Sequence, residues 1–176
     1  DGDIPVICAT NAFGMGIDKP SLENSLYQGL IGEATMEEIM VPSMMKKLTM
    51  APADIDLIGF EVEMMAAEGR ETKLKTLLDP VRGAFDFIVI DCPPALSLLT
   101  LNAFTASDSV VIPLQSEFYA LEGLSQLLNT IKRVKSSFNP GLKIKGILFT
   151  MFDQRTNLSR NVVEDAQKYF KDMVFR

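Results

Sequence analysis

The sequence predicts an α/β protein with a mostly parallel sheet and helices on both faces. Short β-branched runs alternate with longer stretches at helical spacing, the pattern of successive βαβ units. Hydrophobic residues make up 47% of the 176 residues and charged residues 23%, enough for one domain with a sizeable core. Turn signals such as Asn139-Pro140-Gly141 separate the segments.

Taken in order, strands are predicted over residues 5–9, 48–51, 85–90, 109–113 and 144–150, with a further start at 173–175. The runs F-D-F-I-V-I and S-V-V-I-P are apolar enough to predict strands buried on both faces. Helical spacing covers residues 22–31, 56–67, 71–78, 98–106, 121–136 and 158–171. Thr35 and Glu38 have capping-box spacing and open a short helix that Pro42 is expected to end. In the longest helix Leu121, Leu124, Leu127, Leu128, Ile131 and Val134 form one apolar stripe, as expected of a cover helix. Ten methionines, among them Met44, Met45, Met64 and Met65, are read as core filler.

Composition also excludes classes of chemistry. Histidine is absent, which rules out Ser-His-Asp and Cys-His nucleophile systems and histidine-based zinc sites. The two cysteines, Cys8 and Cys92, lie at or near strand ends and are expected to be small buried hydrophobes rather than a disulfide or metal site. No apolar run reaches the roughly 18 residues of a membrane helix. The opening Asp1-Gly2-Asp3 is unlike a basic signal-peptide start, so a cytoplasmic location is expected. The net charge of -6 is unevenly spread: residues 1–129 hold 7 Lys/Arg against 19 Asp/Glu, and residues 130–176 hold 10 against 4. The basic third is a candidate phosphate-facing surface.

The most informative local feature is F-D-F-I-V-I-D-C-P-P, an apolar strand that ends in Asp91 where a sheet's carboxyl edge opens. Ligands of open α/β sheets bind at that edge, and an acid there can hold magnesium through water. From Pro94 the chain continues A-L-S-L-L-T-L-N-A-F-T-A-S-D-S-V-V-I-P-L-Q, then reaches Gly146 and Arg155-Thr156-Asn157-Leu158. Together with Ile31-Gly32-Glu33-Ala34-Thr35 and Pro52-Ala53-Asp54-Ile55-Asp56-Leu57 upstream, this resembles the ParA/Soj family of chromosome and plasmid partitioning ATPases, relatives of MinD, over about residues 17–175.

That resemblance implies a three-layer P-loop-NTPase-like fold, incomplete at both ends. It implies ATP and Mg2+ as cofactors, ATP-dependent homodimerisation, nonspecific DNA binding at the nucleoid, and a ParB-type partner that stimulates hydrolysis, with no membrane role. Carried over residue by residue, Asp91 matches the magnesium-side acid and Pro93 and Pro94 match the segment that senses the γ-phosphate. Met151 and Asp153 match a loop near the adenine, and Arg155 matches an arginine that contacts DNA.

The sequence also departs from the family. The K-G-G-x-G-K-T loop, whose backbone amides cradle phosphate, does not occur in the sequence, nor does the D-x-D-P-Q segment with its water-activating aspartate. Residues 4–20, I-P-V-I-C-A-T-N-A-F-G-M-G-I-D-K-P, resemble motif V of RecQ helicases instead, but the other motor motifs of a helicase are missing. The chain therefore divides into an atypical segment, residues 1–20, and a ParA-like α/β domain, residues 21–176. Residues 6–9 are a candidate replacement for the central strand, with Gly14, Gly16 and Lys19 as a makeshift phosphate loop. Against this loop stand its spacing, Asp18, which repels phosphate, and Pro20, which removes an amide. The expected function is an impaired ParA/Soj-like ATPase, and the alternative is a noncatalytic module that binds DNA or another ParA protomer.

Overall fold

The structure, a computed structural model, describes residues 6–10, 24–92, 95–117, 120–153 and 155–175, without the side chains of residues 6–10, 120 and 158. The chain forms two compact units, one up to Ala106 and one from Ser107 onward.

The first unit is built on a four-stranded sheet in the order β2-β3-β1-β4. Strand β1 (Val6–Thr10) lies between β3 (Leu48–Pro52) and β4 (Phe87–Ile90) and is parallel to both. The two-residue β2 (Val41–Pro42) runs antiparallel to β3 at the edge, a position that tolerates a proline without an N–H. Register places Thr10 beside Pro52, and Ala9 beside Ile90, so the three parallel strands end nearly level. The segment of residues 6–9 is therefore a strand, as its apolar run predicts, and it takes the interior place for which it was a candidate.

The helices of this unit are short and well capped. In α1 (Leu26–Ile31) Ser25 and Gln28 form a capping box, and Gly32, at φ 91, ends the helix in a left-handed turn that suits glycine. In α2 (Met36–Ile39) the predicted Thr35–Glu38 box is present, with Glu38 Oε2 accepting from the Thr35 backbone at 2.8 Å. This helix ends before Pro42: Met40 turns extended and the chain enters β2. The single helix expected over residues 56–67 divides into a 3-10 turn, Ile55–Ile58, and α3 (Phe60–Glu63). That over 71–78 divides likewise, into a 3-10 turn, Arg70–Thr72, and α4 (Lys73–Leu78). Helix α5 (Leu98–Ala106) has its predicted bounds. Leu30, Met36, Ile39, Phe60, Leu74 and Leu78 are part of one buried cluster, against which Ile88 and Ile90 of β4 pack.

In the second unit β5 (Ser109–Gln115) and β6 (Lys143–Thr150) pair in parallel, with a bulge between Val110 and Val111. Helix α6 (Ala120–Ser137) packs on β5 and buries Leu124, Ile131 and Val134 of the predicted stripe. Asn139 anchors the turn before β6, its Nδ2 donating to Ser107 O at 2.7 Å. Helix α7 (Asn157–Phe170) comes next, and the strand predicted over 173–175 reduces to one bridge between Val174 and Ile147. Gly146 permits this closure: a Cβ there would stand 2.9 Å from Met173 O and 2.7 Å from the Phe175 ring.

Two expectations of burial are corrected. Strands β4 and β5 are not buried on both faces: Phe87 is 60% and Val89 51% exposed, and Val111 is exposed too. Only the Ile88 and Ile90 side of β4 meets the core, and among the described residues the outer edges of β4 and β5 pair with no further strand. The methionines are also not uniformly core filler. Met36 and Met50 are buried, but Met44, Met45 and Met65 are exposed.

Candidate functional site

Asp91 leaves the sheet one residue beyond Ile90, level with Thr10 at the end of β1, and its side chain is exposed. Parallel strands direct it there, because every loop that succeeds a parallel β-strand of this sheet emerges at the same edge. Beside it, Cys92 is half-buried, a free thiol pushed up to about 11 by burial and by the charge of Asp91. It stays protonated near neutral pH, which fits a small hydrophobe and not a nucleophile.

Among the described residues no group of three or more Cys, Asp or Glu side chains is placed to hold a metal. A single carboxylate fits only one mode of binding well: a magnesium ion that keeps several waters and shares substrate phosphates. Of the other predicted nucleotide contacts, Gly14, Gly16, Lys19, Pro93 and Pro94 lie outside the described residues.

Met151, Asp153 and Arg155 belong to the second unit, in the turn between β6 and α7. Met151 is exposed and left-handed at φ 53, an uncommon conformation for a side chain of its size, and its Sδ accepts from Gln115 Nε2 at 3.2 Å. Asp153 organises the turn into α7. Its Oδ1 accepts from the Arg155 backbone at 2.9 Å, and its two oxygens accept from Arg155 Nε at 3.0 Å and Nη2 at 2.9 Å. Its carbonyl accepts from Thr156 Oγ1 at 3.1 Å, and Thr156 in turn caps α7. The guanidinium beside Asp153, then the Arg155 backbone N–H, hold this carboxyl below its ordinary range, and the carboxylate raises Arg155. A depressed acid contributes at neutral pH and loses that contribution as pH falls through its folded value, so the fork persists under ordinary conditions. Arg155 remains 89% exposed while so held.

The AAA domain family matches residues 7–144, most of the chain and including most of β1. The chain is 48% identical to the sporulation initiation inhibitor protein Soj of Bacillus subtilis, over 93% of its own length and 64% of that protein. It is also 48% identical to the chromosome partitioning protein ParA of Myxococcus xanthus, over 92% of its own length and 57% of the relative. The chain belongs to the ParA/Soj family of partitioning ATPases. Among solved structures it resembles cobyrinic acid a,c-diamide synthase from Mycobacterium smegmatis with bound ADP and magnesium, at 37% identity and a TM-score of 0.87. That likeness covers 96% of this chain and 71% of the other. This ParA/Soj chain therefore has the α/β fold with parallel strands that its sequence predicts, and it spans roughly three fifths of the length of these two curated relatives. No helix among the described residues is long and apolar enough to cross a membrane.

Proposed function

We propose that these residues serve a ParA/Soj-type partitioning cycle, in which Asp91 stands on the magnesium side of an ATP site and Arg155 meets DNA phosphates. The observation that carries this reading is Asp91 at the carboxyl end of β4, level with the ends of its parallel neighbours. When bound, ATP with magnesium would supply the phosphoryl group and the charge that Asp91 helps to balance. Met151 and Asp153 form the adenine-side loop, with Pro93 and Pro94 coming after the acid. DNA, a second protomer and a ParB-type protein are the partners this cycle requires, and the cytoplasm at the nucleoid is its place.

The 176 residues contain no K-G-G-x-G-K-T string, so the proposal includes weak or absent ATP retention by this chain alone. A working site filled at a hundredfold its Kd would add about 2.7 kcal/mol to stability. Thermal unfolding with ATP and magnesium is expected to show no such shift. A clear shift lost in Asp91→Ala would overturn the impairment.

The DNA side is tested without nucleotide. The last 47 residues carry 10 Lys/Arg against 4 Asp/Glu, which favours contact with phosphates. Duplex DNA titrated at two salt concentrations should bind more weakly to Arg155→Ala, with a salt slope smaller by about one unit. Equal binding by the variant removes Arg155 from the interface. Salt-sensitive DNA binding without any nucleotide effect would favour the noncatalytic DNA-binding module.

A further inference from the structure

The chain from Ile55 to Met65 is apolar on two sides. Leu57 and Phe60 face the core, whereas Ile55, Ile58, Val62 and Met65 are 72%, 74%, 71% and 68% exposed. Gly59 is right-handed at φ -68 and ψ -26, so the 3-10 turn continues into α3 and the exposed side chains, spaced by three, four and three residues, share one face. Scattered single apolar residues are ordinary on a surface, but four in a row along a helical face mark a contact site.

The rim of this face is acidic. Asp54, Asp56, Glu61, Glu63 and Glu68 border it, and no Lys or Arg occurs between Asp54 and Glu68. Arg70, the next basic residue, is already engaged with Glu71 and the Met65 carbonyl. Two of these carboxylates, Glu63 and Asp56, act on Tyr27, whose hydroxyl donates to Glu63 at 2.6 Å. That hydrogen bond, with burial and the fields of Glu63, Glu33 and Asp56, pushes the phenol up to about 12.

We propose that this face docks a basic amphipathic helix of a partner protein, with apolar residues seated along Ile55, Ile58, Val62 and Met65 and Lys or Arg side chains meeting the acidic rim. The spacing of the four anchors matches a helix laid against a helix. Charge excludes the other occupants. Nucleic acid and anionic membrane would be repelled by the carboxylates. A second copy using the same face would oppose one acidic rim to another, since an interface of that symmetry joins identical patches. The surface requires neither nucleotide nor DNA, so its test stands apart from that of the partitioning cycle.

The probe is a fluorescein-labelled helical peptide with leucines at three- and four-residue steps and lysines on both flanks, monitored by anisotropy without nucleotide. Saturable binding that weakens with salt is expected. Val62→Asp should weaken it by about tenfold or more with an unchanged unfolding midpoint. A peptide of equal charge with serines for leucines should lose a similar factor. If Val62→Asp does not fold, Glu61→Lys at the rim is the second variant, expected to lose affinity and salt dependence together. The proposal is overturned if the peptide does not bind, if the variant binds like the parent, or if the serine peptide binds equally. It is also overturned if sedimentation shows a dimer of this chain that Val62→Asp dissolves, because the face then belongs to a second copy.

Discussion

Asn102→Ala is expected to destabilise the first unit by about 3 kcal/mol, lowering the unfolding midpoint by roughly 10 °C. Asn102 is 1% exposed on α5, and its amide joins three pieces of chain. Oδ1 accepts from Leu74 N at 3.1 Å, satisfying an N–H in the first turn of α4 that has no partner within that helix. Nδ2 donates to Arg70 O at 2.8 Å and to Leu98 O at 3.0 Å. Truncation leaves the Leu74 N–H and the Arg70 carbonyl without this partner and opens a void besides, and each buried orphan costs about 1–3 kcal/mol. Asn102→Asp should be no milder, because a carboxylate keeps the acceptor for Leu74 but turns a second acceptor toward two carbonyls. Denaturant unfolding should show a lower midpoint at an unchanged slope. A loss under about 1 kcal/mol would mean that water enters and replaces the amide.

Phe60→Ala is expected to cost still more, about 3–5 kcal/mol. The ring is fully buried in the cluster that α1, α2 and α4 share, and a helix as short as α3 has no other anchor of that size. Val62→Ala, two residues further on, should change stability by no more than about 0.5 kcal/mol, because its side chain faces water. The contrast measures the two faces of one short helix. Similar losses at both positions would mean that Val62 is covered in solution, and the docking face would be lost with it.

Much of the fold was legible in the sequence because its signals are local. The capping box at Thr35 and the stripe along α6 result from spacing alone, and α5 has its predicted bounds. Asp91 was legible for the same reason, as an acid that closes an apolar strand. What was not legible depends on which neighbour arrives. The run F-D-F-I-V-I reads as buried, but Phe87 and Val89 face no described cover, a fact about residues remote in the chain. The β2 edge was missed because two residues are too few to carry a period. The outward face of α3 was missed because Leu57, Phe60 and Met64 satisfy the helical pattern by themselves, and the second set of apolar residues merges into it.

The place of β1 bears on how the chain acquires its structure. Its neighbours in the sheet are supplied by Leu48 and Phe87 and the residues after them, whereas β5 and β6 are joined through a single intervening helix. During synthesis Val6 has no strand partner until Leu48 has emerged, and its other side stays open until Phe87 does. Long-range parallel pairing of this kind is slow, because loop entropy is spent before any contact repays it. The unit that ends at Ala106 is thus expected to assemble more slowly than the shorter-range unit after it.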